Sequence, residues 1–163
     1  MDIVYKTFDA KPDLYRYILE QVEGTWAETR DLTAALANTS ATLMLLMPQL
    51  NWAGFYLMRN GALVLGPFQG KPAVAHIEVG AGVCGTAVAQ GQTQLVENVH
   101  SCCNHIACDL ATNSELVVPI FMGEEIFGVI DLDSPVAARF DEEDRHGIEA
   151  LAAFLGRRLT GGK

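Results

Sequence analysis

The chain has 163 residues, half of them apolar, 19% charged and 8% aromatic. This is the composition of one ordinary globular domain with a single core, and it excludes disorder, collagen and coiled coil as descriptions of the whole chain. A net charge of −9, with 20 acidic against 11 scattered basic residues, argues against nucleic acid as a partner, because phosphate binding needs clustered Lys and Arg.

No apolar run approaches the ~20 residues of a membrane helix. The richest, 41–47, stops at Pro48. The start, Met1-Asp2-Ile3-Val4-Tyr5-Lys6, has no basic residues leading into an apolar stretch, so no signal peptide is expected and the cytoplasm is the default compartment.

The first fifty residues read as helical. Leu14, Tyr15, Ile18, Leu19 and Val22 have helical spacing, with Gly24 as a stop. A second helix over about 28–47 carries a stripe of Leu32, Leu36, Thr39, Leu43 and Met47 and ends at Pro48. From Asn51 the texture turns to strands. Residues 52–58 and 62–65 flank the hairpin turn Asn60-Gly61. A loop punctuated by Gly and Pro follows over 66–72, then a short strand at 75–79, a glycine-rich stretch at 80–85, a short helix at 86–90 and a strand at 93–96. The polar stretch 97–113 lacks periodicity, and a loop that long inside a domain is usually functional.

Two further strands, 115–122 and 126–133, surround Gly123-Glu124-Glu125, and a last helix over about 141–159 opens on acidic residues and buries Ile148, Leu151, Ala152 and Leu155. The order gives one α+β domain over 1–163: a central antiparallel sheet flanked by N-terminal helices (about 11–47) and a C-terminal helix. The expected register of the last hairpin matters for chemistry. A three-residue loop sets Met122 opposite Ile126 and gathers Leu116, Val118 and Ile120 with Ile130 and Leu132 on one apolar face. The other face then holds Glu115 opposite Asp133, with Asp131 two residues along.

Three carboxyls on one face raise at least one pKa by repulsion, and such a site can bind an ammonium group or act as a general acid. A solvated sheet end is the plain alternative. Cys84 sits where a short helix starts, a place that stabilises thiolate. Cys108 lies in the long loop within His105-Ile106-Ala107-Cys108-Asp109, where it could be nucleophilic, although Asp109 would raise its pKa. For both, filling a gap as a small apolar residue is the alternative. Cys102, Cys103, Cys108, His100 and His105 offer zinc ligands, but no Cys-x2-Cys pair is present and adjacent cysteines rarely hold one tetrahedral ion. Trp52 and Tyr56 share a strand face, as a ligand wall or as core.

The segments Asn51-Trp52-Ala53-Gly54-Phe55-Tyr56, Leu65-Gly66-Pro67-Phe68-Gln69-Gly70-Lys71-Pro72 and Gly82-Val83-Cys84-Gly85-Thr86-Ala87 resemble one family. So do His105-Ile106-Ala107-Cys108-Asp109, Asn113-Ser114-Glu115, Asp131-Leu132-Asp133-Ser134-Pro135 and Arg139-Phe140-Asp141-Glu142-Glu143-Asp144. Together they are similar to the free methionine-(R)-sulfoxide reductases, single-domain GAF proteins. The resemblance implies that Cys108 attacks the sulfoxide sulfur while the acidic cluster protonates the oxygen. Cys108 becomes a sulfenic acid and methionine departs. Cys84 then closes a disulfide with Cys108, and thioredoxin reopens it, with no bound cofactor or metal. Trp52 and Tyr56 would wall the methyl-sulfoxide end, and Glu115, Asp131 and Asp133 would serve the amine and the oxygen. A homodimer through the N-terminal helices is a further expectation. Val74 stands where many relatives carry another cysteine, and Cys102 and Cys103 lie outside the shared pattern. A GAF module that senses a small ligand without turnover is the alternative. Such a module usually sits beside an output domain, for which this length leaves no room.

Overall fold

The computed structural model describes residues 3–101 and 109–161. The elements run in the order α1 (Lys11–Glu28), α2 (Leu32–Leu46), β1 (Trp52–Arg59), β2 (Ala62–Gly70), β3 (His76–Glu78), α3 (Gly82–Gln90), β4 (Gln94–Val96), β5 (Ser114–Met122), β6 (Glu125–Ser134) and α4 (Glu142–Leu159). The strands form one six-stranded sheet in the order β3-β2-β1-β6-β5-β4, with every neighbouring pair antiparallel. This is the expected α+β architecture.

The strand alternation divides the interior in two. Ala53, Phe55 and Leu57 of β1, Leu116, Val118 and Ile120 of β5, and Ile130 and Leu132 of β6 point to one face, where α1, α2 and α4 cover them in the larger core. Trp52, Tyr56, Leu63, Ile77, Val117 and Val129 point to the other, where Val83, Cys84 and Ala87 of α3 cover a smaller one. Three helices therefore support the sheet from behind, and among the described helices α3 is the one that packs on its front.

Several element bounds differ from the sequence reading. The first helix runs through Gly24 to Glu28, because Val22, Thr25 and Trp26 are buried and Trp26 Nε1 donates to Thr39 Oγ1 of α2 at 3.0 Å. Packing there outweighs the roughly 1 kcal/mol a helical glycine costs. The second helix starts later than expected, at Leu32, capped by Asp31, whose side chain accepts from the Ala34 amide. β2 continues to Gly70 instead of ending at Leu65. Gly66 and Pro67 together face the single residue Phe55, so the proline lies at a bulge, where it costs no ladder hydrogen bond.

The final hairpin keeps the expected pairing by another route. Met122 pairs with Glu125 across a two-residue loop instead of facing Ile126, and Gly123 takes a φ of 68° as the first loop residue, the place a type II′ turn gives to glycine. The register then shifts between Ile120 and Phe121, leaving Phe127 as the extra residue on β6. That bulge restores the alternation, so Glu115 still pairs with Asp133.

Among the described residues no helix is long and apolar enough to cross a membrane.

Candidate active site

Two rows cross the front face of the sheet. Trp52, Asp133 and Glu115 stand opposite one another on β1, β6 and β5, and Gly54, Asp131 and Val117 form the next row. Tyr56 follows one row on, opposite Val129. The period of two thus gathers Trp52, Tyr56, Glu115, Asp131 and Asp133 on one side. All five are buried, with Glu115, Asp131 and Asp133 each only 5% exposed, so the cluster is not a solvated sheet end.

α3 brings the thiol to the acids. Its entry is shaped by Gly80 and Gly82, with φ of 90° and 62°, and by Gly85, where any side chain would strike the Glu78 carbonyl of β3. Cys84 is consequently buried against the sheet. Its sulfur, a Glu115 oxygen and an Asp131 oxygen all lie within 4.8 Å of one another. Among the described residues this is the one group of His, Cys, Asp and Glu close enough to hold a metal ion. Tyr56, Ile77, Gly82, Val83, Cys84, Glu115, Asp131 and Asp133 line a narrow cavity of about 10 Å³, the space of one small ion or water.

Burial sets the electrostatics. It pushes the Glu115 carboxyl well above its ordinary range, with the charge of Asp133 adding to it and a hydrogen bond to Asp131 opposing. Asp131 is raised by burial and then by Glu115, while its hydrogen bond with Cys84 pulls the other way. Asp133 is raised by burial, then by Asp131 and Asp109. Asp131 Oδ1 and Asp133 Oδ1 are buried without a hydrogen-bond partner among the described residues. Such a site holds its protons more tightly than free carboxyls do, and gives them up where a cation supplies the counter-charge.

The thiol behaves contrary to the sequence expectation. Cys84 lies in the first turn of α3, yet burial, then Asp131, Glu115 and Asp133, raise it well above its ordinary range. The helix terminus contributes a partial charge, and three facing carboxyls outweigh it. Cys84 is a protonated thiol in this state.

The aromatic pair is both core and wall. Tyr56 lines the cavity, whereas Trp52 stacks behind it at 6.0 Å and on Phe68 at 5.1 Å. Trp52 Nε1 donates to the Lys71 carbonyl at 3.1 Å and the Tyr56 hydroxyl to the Val74 carbonyl at 2.9 Å. The two rings thereby pin the segment after β2 over this end of the sheet.

Cys108, Cys102, Cys103 and His105 lie outside the described residues. Asp109, at the edge of that segment, accepts from the Ala111 amide, from Lys71 Nζ at 3.1 Å and from Asn51 Nδ2 at 3.3 Å. These donors, the Ala111 amide first, lower its pKa. Asn51 also donates to Thr112 Oγ1 at 3.1 Å. His100 has its Nε2 at 2.9 Å from Asn113 Oδ1, in the 3-10 turn Val99–Ser101. Sequence reasoning did not single out Asn51, Lys71 or Thr112 as a group, nor Ile77, Gly82 and Val83 as cavity walls. Their partners are distant in the chain, and no local period marks them.

Comparison with known proteins bears on the family and the fold. The GAF domain family model matches residues 23–159. The chain is 48% identical to the free methionine-R-sulfoxide reductase of Escherichia coli strain K12, over 92% of this chain and 91% of that one. It is 37% identical to the Saccharomyces cerevisiae protein of the same name, over 90% and 86%. Among solved structures, the free methionine-R-sulfoxide reductase from Neisseria meningitidis in complex with its substrate superposes with a TM-score of 0.92 at 41% identity, covering 98% of this chain and 96% of that one.

Proposed function

Because the chain belongs to the GAF family and, within it, to the free methionine-R-sulfoxide reductases, we propose that it reduces free methionine (R)-sulfoxide to methionine in the cavity between α3 and the sheet. The observation that carries the site assignment is the buried meeting of Cys84 with Glu115 and Asp131, all within 4.8 Å of one another.

A sulfoxide oxygen is a poor leaving atom until it is protonated, and carboxyls held neutral by burial supply that proton. The Cys108 thiolate attacks the substrate sulfur, the S–O bond breaks, and the oxygen passes to the Cys108 sulfur. The substrate sulfur gains two electrons and Cys108 loses them as a sulfenic acid. The Cys84 thiol then condenses with the sulfenic acid, forming the Cys84 to Cys108 disulfide and releasing water. Cys84 is buried at the cavity wall, so forming the disulfide requires the sulfenic sulfur to reach it there. Two further electrons, from the dithiol of thioredoxin, reopen the disulfide.

The remaining carboxyls hold the substrate ammonium, and Tyr56, backed by Trp52, walls the methyl-sulfoxide end. No metal or organic cofactor enters this cycle. The chain acts as a single GAF domain over 1–163, in the cytoplasm, where reduced thioredoxin is at hand. Two copies pair through the N-terminal helices, which sedimentation would test.

The deciding experiment incubates the protein with each epimer of free methionine sulfoxide, thioredoxin, thioredoxin reductase and NADPH. NADPH loss with the (R) epimer alone is expected. Equal loss with both epimers, or none, overturns the reading.

A further inference from the structure

We infer that the cavity is also a binding site for a thiophilic divalent cation, zinc being the natural one, held by Cys84, Glu115 and Asp131. Such an ion excludes substrate and acts as an inhibitor of the reduced protein. The inference concerns the cavity of the proposed reductase site, but the binding it describes needs no turnover.

Two features support it, the second resting on Asp133 as a residue outside the donor set. The first is the donor set: one sulfur and two carboxylate oxygens, mutually within 4.8 Å and all buried. A tetrahedral zinc ion with ligands at about 2.0–2.3 Å spaces its donors by about 3.5 Å, so modest side-chain rotations close the cage. The second is the unmet polarity around it. Asp131 Oδ1 and Asp133 Oδ1 have no hydrogen-bond partner among the described residues, although both residues are only 5% exposed and line the cavity. Their potential converges on the space a cation would fill.

The donors also select the ion. Magnesium and calcium take six or more oxygens and keep waters, which a mixed sulfur and oxygen cage this enclosed does not provide. Zinc and cadmium accept thiolate with carboxylate at four-coordination. Binding displaces the thiol proton of Cys84, and a carboxyl proton with it, so metal uptake releases acid and strengthens as pH rises. The ion occupies the place of the substrate ammonium and masks the thiol. A Cys84 disulfide abolishes the site, so only the reduced protein is inhibited.

The test uses fully reduced, metal-free protein and Cd²⁺ as a spectroscopic probe, with zinc affinity measured by chelator competition. One equivalent of Cd²⁺ should give thiolate charge-transfer absorption, and free methionine should weaken the binding. A Cys102→Ser/Cys103→Ser/Cys108→Ser variant, in which Cys84 is the sole cysteine, should retain the signal. Cys84→Ser should lose it. Asp131→Asn, which keeps the thiol, should lose more than the roughly hundredfold upper bound for changes in outer-shell partners. This second variant guards against misfolding of Cys84→Ser. If Cys84→Ser binds normally while the triple variant does not, the ion belongs to the 100–108 segment and the inference falls. It also falls if wild-type protein turns over substrate but binds neither metal. Metal binding without any turnover would instead remove the reductase reading and leave this one standing.

Discussion

Glu115 stands directly opposite Asp133 in the β5–β6 ladder, and Trp52 stands opposite the same Asp133 from β1. One indole and two carboxyls thus share a row on a buried sheet face, with Asp131 in the next. Like charges at that spacing and burial cannot all ionise, so the site requires either protons or a cation. A substrate with an ammonium group and a basic sulfoxide oxygen meets both demands.

Selectivity for the free amino acid follows. In N-acetyl-methionine sulfoxide the nitrogen is a neutral amide and leaves a buried carboxylate uncompensated. Truncating such a charged contact typically costs ~2–5 kcal/mol. The acetylated compound should show kcat/KM lower by some tens to thousands of fold. Changing Glu115→Gln, Asp131→Asn and Asp133→Asn singly should separate the roles. The amine-binding residue loses discrimination against the acetylated form, and the proton donor loses rate on both forms equally. Similar kcat/KM for free and acetylated substrate in the wild type would refute amine recognition by the cluster.

The cysteines divide by single-turnover chemistry. Cys108→Ser should yield no methionine even without recycling. Cys84→Ser should yield about one methionine per chain and accumulate a sulfenic acid, which dimedone labelling and mass spectrometry would detect. Cys102→Ser/Cys103→Ser should turn over with thioredoxin near the wild-type rate. A loss confined to recycling in that double variant would mean that one of the two relays the disulfide.

The pairing of Glu115 with Asp133 was legible in the sequence because alternation permits little else. A one-residue slip would turn Glu115 and Asp133 toward the apolar face of Leu116, Val118 and Ile130, where no partner awaits them. The turn itself was not legible, since Phe127 bulges out and hides the count. Gly66 and Pro67 read as loop residues because a bulge across from Phe55 leaves no local mark. The thiol of Cys84 was misjudged for a different reason. Helix position is local, whereas the carboxyls that raise it come from β5 and β6 and become neighbours only in the fold.

Asp144 anchors the back of the domain. It is fully buried, accepts from Tyr15 Oη at 2.5 Å and Lys11 Nζ at 2.7 Å, meets Arg139 at 3.3 Å, and closes a capping box with Asp141 at the start of α4. Asp144→Asn leaves the buried Arg139 without its counter-charge. A loss of about 3–5 kcal/mol in urea unfolding is expected. The folded fraction should keep its kcat, because this network touches only the helical side. A loss below 1 kcal/mol would mean that solvent already screens the network.

Asp133 makes the opposite prediction. Its carboxyl is raised by burial, by Asp131 and by Asp109, so the native state binds its proton more tightly than the unfolded chain does. Stability therefore declines as pH climbs from the ordinary carboxylate range toward the raised native value, since unfolding then takes up no proton and releases one. Each pKa unit of that gap is about 1.4 kcal/mol. Asp133→Asn removes the penalty while keeping the shape, so it should raise Tm at pH 7 by about 2–4 °C for each kcal/mol recovered. The gain should fade toward pH 3, where both states of the wild type are protonated. Catalysis should fall in the same variant, because the group that destabilises the empty site is one that serves the substrate. Calorimetry of both proteins between pH 3 and pH 8 would check this, and an Asn variant less stable at pH 7, or a gain independent of pH, would show that Asp133 carries no stored charge penalty.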